Sequence, residues 1–121
     1  MVAPLLIIDA ANVVGSVPDG WWRDRAGATE RLRDRLSAPD LGVLTGGVTP
    51  ELVLVVEGQA RGVTAVPGVR VVAAPGSGDD EIVSLVAAAD DRTVVVATAD
   101  RELISRVTAL GASIVGPKSV R

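Results

Sequence analysis

The sequence has no histidine and no cysteine, and its only aromatic residues are two tryptophans. Without cysteine there are no disulfides, no thiolate ligands and no thiol nucleophile, a composition that suits the cytoplasm. Without histidine, Ser-His-Asp and Cys-His catalysis, His-rich zinc sites and the commonest general base at neutral pH all drop out. An enzyme built from this chain must work with carboxylates, Asn, Ser/Thr, Arg and a bound metal ion. Hard oxygen ligands of that kind suit Mg²⁺ or Mn²⁺ rather than zinc. Long apolar runs are missing too. None approaches the roughly 20 residues that span a membrane, and the N-terminus lacks the basic region, long apolar segment and cleavage site of a signal peptide. Neither a membrane nor a secretory leader is therefore expected.

Positive charge is also in short supply. The net charge of −3 argues against a whole surface dedicated to non-specific nucleic-acid binding. The distribution is uneven, however. Between Trp21 and Leu36, five arginines face three acids, a local balance of +2 that leaves −5 for the remainder.

What is present fits one domain spanning 1–121, with 48% hydrophobic residues rich in Val, Ala and Leu. Leu5 to Ile8 is an uninterrupted apolar run ending in Asp9, with Asn12 three residues on. Such a run reads as a strand buried on both faces. Val13 to Gly20 reads as a loop, and a helix is expected over about Asp24 to Ser37. Trp22, Ala26, Thr29, Leu32 and Leu36 recur on one face of it, with the arginines mostly on the other. Ser37 to Pro50, rich in Gly and Pro, reads as a long mobile loop. Glu51 to Val56, Val69 to Ala73, Thr93 to Ala97 and Ala112 to Val115 read as further strands. Helices are expected from Asp79 to about Ala89 and from Arg101 to about Leu110. No helix is assigned to Gln59 to Gly68. Strands alternating with helices predict an α/β fold, a central parallel sheet with helices on both faces.

Acids follow the strands: Asp9 the first, Glu57 the second, Asp79 and Asp80 the third, Asp100 the fourth. In an open parallel sheet the carboxyl ends share one edge, where ligands bind. A central first strand crowds these acids into one cleft. Crowded carboxylates raise one another's pKa and call for a compensating cation. Two metals about 4 Å apart would activate a water on one side of a phosphodiester and stabilise the leaving oxygen on the other. Each acid also has a plain structural role open to it. Asp9 can cap a turn, Glu57 can be a turn residue, Asp79 and Asp80 can complement a helix dipole, and Asp100 can be an N-cap in competition with Thr98. The conjunction at successive strand ends carries the functional reading.

Three segments in order, Ile-Ile-Asp-Ala-Ala-Asn-Val-Val-Gly, Gly-Asp-Asp-Glu-Ile (78–82) and Val-Ala-Thr-Ala-Asp-Arg-Glu-Leu (96–103), resemble those of the NYN domains. These belong to the PIN-like nuclease group, and the resemblance points to the short YacP-like NYN proteins of bacteria. The resemblance implies a three-layer α/β/α PIN-like fold with strand order 3-2-1-4-5 and metal-dependent RNA cleavage. It makes Asp9, Asp79 and Asp100 the central metal-binding acids and gives Asn12 an orienting role. Asp80 becomes a neighbouring candidate ligand. Glu57 stands where relatives often carry Asp.

RNA is then the expected partner, with homodimerisation left open. Trp21 reads as a stacking platform and Arg23 and Arg25 as phosphate contacts, whereas Trp22 reads as the apolar anchor of its helix. Arg101 is placed to contact phosphate or to neutralise the acids. The competing reading is an inactive PIN-like module that binds RNA or protein. A phosphatase with Asp9 as nucleophile needs a second Asp two residues on, where Ala11 stands.

Overall fold

The computed structural model describes residues 2–121. Five strands, β1 (Leu5–Asp9), β2 (Glu51–Val56), β3 (Val69–Ala73), β4 (Val94–Ala97) and β5 (Ser113–Val115), form one sheet in the order β3-β2-β1-β4-β5. All neighbours in it run parallel. Order and direction both match the expectation. The physical reason lies in β1, whose five residues are all buried. A strand with no polar side to show to water must sit in the middle of the sheet with both faces covered.

Alternation divides the core in two. Leu6 and Ile8 of β1, with Leu52, Leu54 and Val95, pack against the layer containing α1 (Ala10–Val14) and α2 (Arg25–Arg35). Leu5 and Ile7, with Val53, Val55 and Val96, pack against α3 (Gly78–Ala87) and α4 (Arg101–Thr108) through Ile82, Val86, Leu103 and Val107. Three layers result. Among the described residues no helix is long and apolar enough to cross a membrane.

The expected loops are more ordered than their composition suggests. Val13 and Val14 complete α1, a single helical turn that starts directly at the end of β1. The Gly/Pro-rich stretch after α2 holds a 3₁₀ segment at Asp40–Thr45. Thr45 is buried there, and its hydroxyl donates to the carbonyl of Val48 at 2.6 Å. Short 3₁₀ turns also form at Gly58–Ala60 and Pro117–Val120. In each case local hydrogen bonds replace the regular ladder that Gly and Pro disfavour.

The tryptophans correct a second expectation. Trp22 is half exposed, and it is Trp21 that packs against the core. The cause is the helix start. Trp21–Arg23 is a separate 3₁₀ turn entered through Gly20 in a left-handed conformation (φ 85°). Asp24 then breaks the helical phase with an extended φ of −152° and caps α2 by accepting from the Gly27 amide at 2.9 Å. A Cβ at position 27 would collide with the Asp24 carboxylate, which explains a glycine in a first helical turn. Positions 26, 29, 32 and 36 do face inward as the periodicity predicts.

Candidate active site at the carboxyl edge of the sheet

Register builds the site. Ile8 lies opposite Ala97 in the β1–β4 pair, so the next residues, Asp9 and Thr98, are side by side. Both are buried. The Thr98 hydroxyl donates to Asp9 Oδ2 at 2.9 Å and accepts from the Asp100 amide at 3.1 Å. One buried hydroxyl thus links the acids that end two adjacent strands. Asp9 Oδ1 takes a longer bond, 3.4 Å, from the Asn12 amide and caps α1. Asn12 reaches in the other direction: its Oδ1 accepts from the Ala99 amide at 2.8 Å, which ties the α1 turn to the β4–α4 loop. Asp100 Oδ1 accepts from the Leu103 amide at 3.0 Å and caps α4.

The third arm comes from β2 and β3. Glu57 Oε2 accepts from the Gly78 amide at 2.6 Å, while Ser77 caps α3 by accepting from the Asp80 amide. A Cβ on residue 78 would come within 3.2 Å of the Glu57 carboxyl carbon, so glycine there lets the carboxylate approach closely. With Ser77 and Glu57 occupying the helix start, Asp79 makes no capping bond of its own. Asp80 turns outward to Arg106, at 3.0 Å, and is mostly exposed.

Two of these acids are shifted in their acidity. Burial pushes the Asp9 carboxyl from 3.8 up to about 6; the Thr98 hydroxyl and Asn12 amide oppose this, and Asp79 and Glu57 add to it. Asp79 is raised as well, by burial first and then by Asp100 and Glu57, with Arg106 opposing. Asp79 and Glu57 thus act on Asp9, and Asp100 and Glu57 on Asp79; none of the four forms an ion pair among the described residues. The donors are all hard oxygens. They form an open cluster: no three carboxylates among the described residues already stand close enough to enclose an ion.

Of the expected site residues, the fold brings together Asp9, Asn12, Glu57, Asp79 and Asp100. It leads Asp80 away to Arg106. Arg23 and Arg101 are exposed and form no ion pair among the described residues. Arg25 lies over the ring of Trp21, 5.1 Å from its centroid. Sequence reasoning missed Thr98 as a site residue. Its signal was a hydroxyl directly after a fully apolar strand, which must find a partner when buried.

No family model matches the chain, and no curated protein matches it in sequence. Solved structures do. The chain is similar to Rae1 (YacP) from Bacillus subtilis and to a tryptophan-to-leucine mutant of that protein, with TM-scores of 0.73 and 0.74 and 18% identity in each case. The matches cover 96% and 97% of this chain and 70% and 72% of theirs. The fold expected from the NYN resemblance, a five-stranded parallel sheet in the order 3-2-1-4-5 between helical layers, is the fold this chain shares with YacP.

Proposed function

We propose that the protein is a divalent-metal-dependent ribonuclease of the PIN-like kind that hydrolyses phosphodiester bonds in the cytoplasm. The observation that carries this reading is a buried Asp9, linked through Thr98 to Asp100 and acted on by Asp79 and Glu57, none of them in an ion pair among the described residues. An unpaired carboxylate in a buried, like-charged setting destabilises the fold unless a cation binds. When bound, Mg²⁺ or Mn²⁺ would supply charge neutralisation and a water activated for attack on phosphorus. Asp9, Asp79 and Asp100 would hold it. An open cluster of hard oxygens suits Mg²⁺, which keeps several of its waters.

The chain's own residues have separable roles. Thr98 fixes the rotamer of Asp9 and the backbone at Asp100, so two ligands are oriented by one hydroxyl. Asn12 sets the distance between the Asp9 and Asp100 turns. Glu57 anchors the first turn of α3 and thereby Asp79. Arg25, Arg101 and Arg23 supply positive charge for the RNA backbone around an acidic centre. The test is labelled RNA and DNA incubated with Mg²⁺ or Mn²⁺, with Asp100→Asn as control. Metal-dependent RNA cleavage lost in the variant supports the reading; equal, near-zero cleavage by both sinks it.

A second reading draws on the same geometry. Asp80 is engaged by Arg106, Glu57 by Gly78, and no carboxylate trio is pre-assembled among the described residues. These features favour an inactive RNA- or protein-binding module. Mn²⁺ calorimetry on the wild type and Asp9→Asn separates the two, since binding absent from both leaves the module reading alone.

A further inference from the structure

Beside the acids, on the β2 side, lies a cavity of about 330 Å³ lined by Ala10, Val14, Trp21, Arg25, Glu57 and Arg61 among others. Its size is at the low end for small-molecule pockets. Ala10 and Val14 of α1 give it an apolar lining, and Glu57, whose charge acts on Asp9 and Asp79, also lines it. Trp21, Arg25 and Arg61 add an aromatic and cationic lining. The Arg25 guanidinium rests over the Trp21 ring at 5.1 Å from its centroid. Trp22 meets Trp21 edge-on, at 86° and 5.9 Å, and stays outside the cavity. Arg61, placed by the 3₁₀ turn that follows Glu57, is a second cation at the rim. Neither arginine has a carboxylate partner among the described residues.

Aromatic rings and guanidinium planes are the surfaces on which unpaired bases stack, and free arginines meet phosphates. A slot of this volume admits one base, and only a base free of a complementary strand can turn into it. We infer that this cavity binds a single unpaired nucleotide, its base against the Trp21–Arg25 wall and its phosphate toward Arg61. The cavity is then a nucleotide subsite beside the acids. This rests on the ribonuclease reading for its substrate, but the binding itself requires no cleavage.

The Trp22→Phe protein, in which Trp21 is the sole indole, provides a site-specific fluorescence signal. It is titrated in EDTA with AMP, ribose 5-phosphate, and one oligoribonucleotide offered single-stranded or as a duplex. Stacking of one base is worth roughly 5- to 150-fold in affinity. AMP is therefore expected to quench Trp21 saturably and to bind at least about fivefold more tightly than ribose 5-phosphate. The single strand is expected to bind more tightly than AMP, and the duplex more weakly than the single strand. Arg25→Ala and Arg61→Ala, both exposed positions, are each expected to weaken AMP binding. Equal binding of AMP and ribose 5-phosphate overturns the proposal, as does AMP affinity unchanged in both arginine variants, or a duplex that binds as well as the single strand. RNA cleavage without base discrimination in the titration removes the pocket and leaves the nuclease. The expected binding pattern without cleavage in Mg²⁺ or Mn²⁺ keeps the pocket and removes the nuclease.

Discussion

The two edges of the sheet handle charge in opposite ways. At the amino edge, Glu51 meets Arg92 at 3.0 Å and Arg70 at 4.0 Å, and the Arg92 guanidinium also donates twice to the Ala3 carbonyl. Glu51 and both arginines are thus paired with groups of opposite sign. At the carboxyl edge, Asp9, Asp79 and Asp100 sit together without one among the described residues. The first arrangement is what a fold adopts for its own stability. The second is tolerated at a cost, which is how functional sites differ from structural ones.

Neutralising the central acid should separate the two edges most sharply. Asp9→Asn is expected to lower metal-dependent cleavage by more than about 100-fold, beyond the range for outer-shell residues. The same substitution should stabilise the metal-free protein. The folded chain holds the Asp9 proton more tightly than the unfolded chain does. Stability from protonation is therefore fully present below pH 3.8 and lost as pH rises through about 6. At about 1.4 kcal/mol per unit, the variant gains up to about 3 kcal/mol at pH 7 and nothing at pH 3.5. Asp79 shifts in the same direction and stays in both proteins. Thermal melts of wild type and variant from pH 3.5 to 8 measure the difference; parallel curves would remove the argument.

Thr98→Val comes next. Losing the hydroxyl frees one oxygen of Asp9 and leaves the Asp100 amide unpaired. An outer-shell loss of about 10- to 100-fold in activity or metal affinity is expected. Because the hydroxyl lowers the Asp9 pKa, the acidic limb of the pH–rate profile should move to higher pH. An unmoved limb would show that Asp9 does not control it.

Glu57→Gln is milder. A glutamine oxygen can still accept from the Gly78 amide, while removal of a negative neighbour lowers the pKa of both Asp9 and Asp79. The acidic limb should shift to lower pH with a smaller loss of activity than in Thr98→Val. A loss as large as that of Asp9→Asn would instead make Glu57 a metal ligand.

The smallest effect belongs to the other edge. Glu51→Gln removes partly exposed ion pairs and should cost no more than about 1 kcal/mol, with cleavage unchanged. A fall in activity there would erase the distinction between the edges.

Much of this was legible in the linear sequence. Leu5 to Ile8 and Leu52 to Val56 have no polar side, so burial on both faces and parallel pairing follow from composition, whereas the central place of β1 was implied by the NYN resemblance. The strand-end acids were equally readable, because the direction of a parallel sheet puts all of them on one edge. Trp22 was misread because helical periodicity was extended through Asp24, where the capping geometry ends it. Asp80 could not be told from Asp79 by position. Only the approach of Arg106 from α4 distinguishes them.

The sequence by itself determined the alternation of strands and helices, the placing of acids at the strand ends and the absence of histidine and thiol chemistry, since these depend on residue type and local period; the strand order was implied only by the NYN resemblance. The tertiary structure decided which groups touch. Thr98 meets Asp9 across 89 positions, Asn12 meets the Ala99 amide across 87, and Glu57 meets the Gly78 amide across 21. Such bonds are set by strand register and by loops closing on one another. Hydrogen bonding is directional and short-ranged, so an ångström of register decides it, whereas hydrophobic burial needs only the correct face.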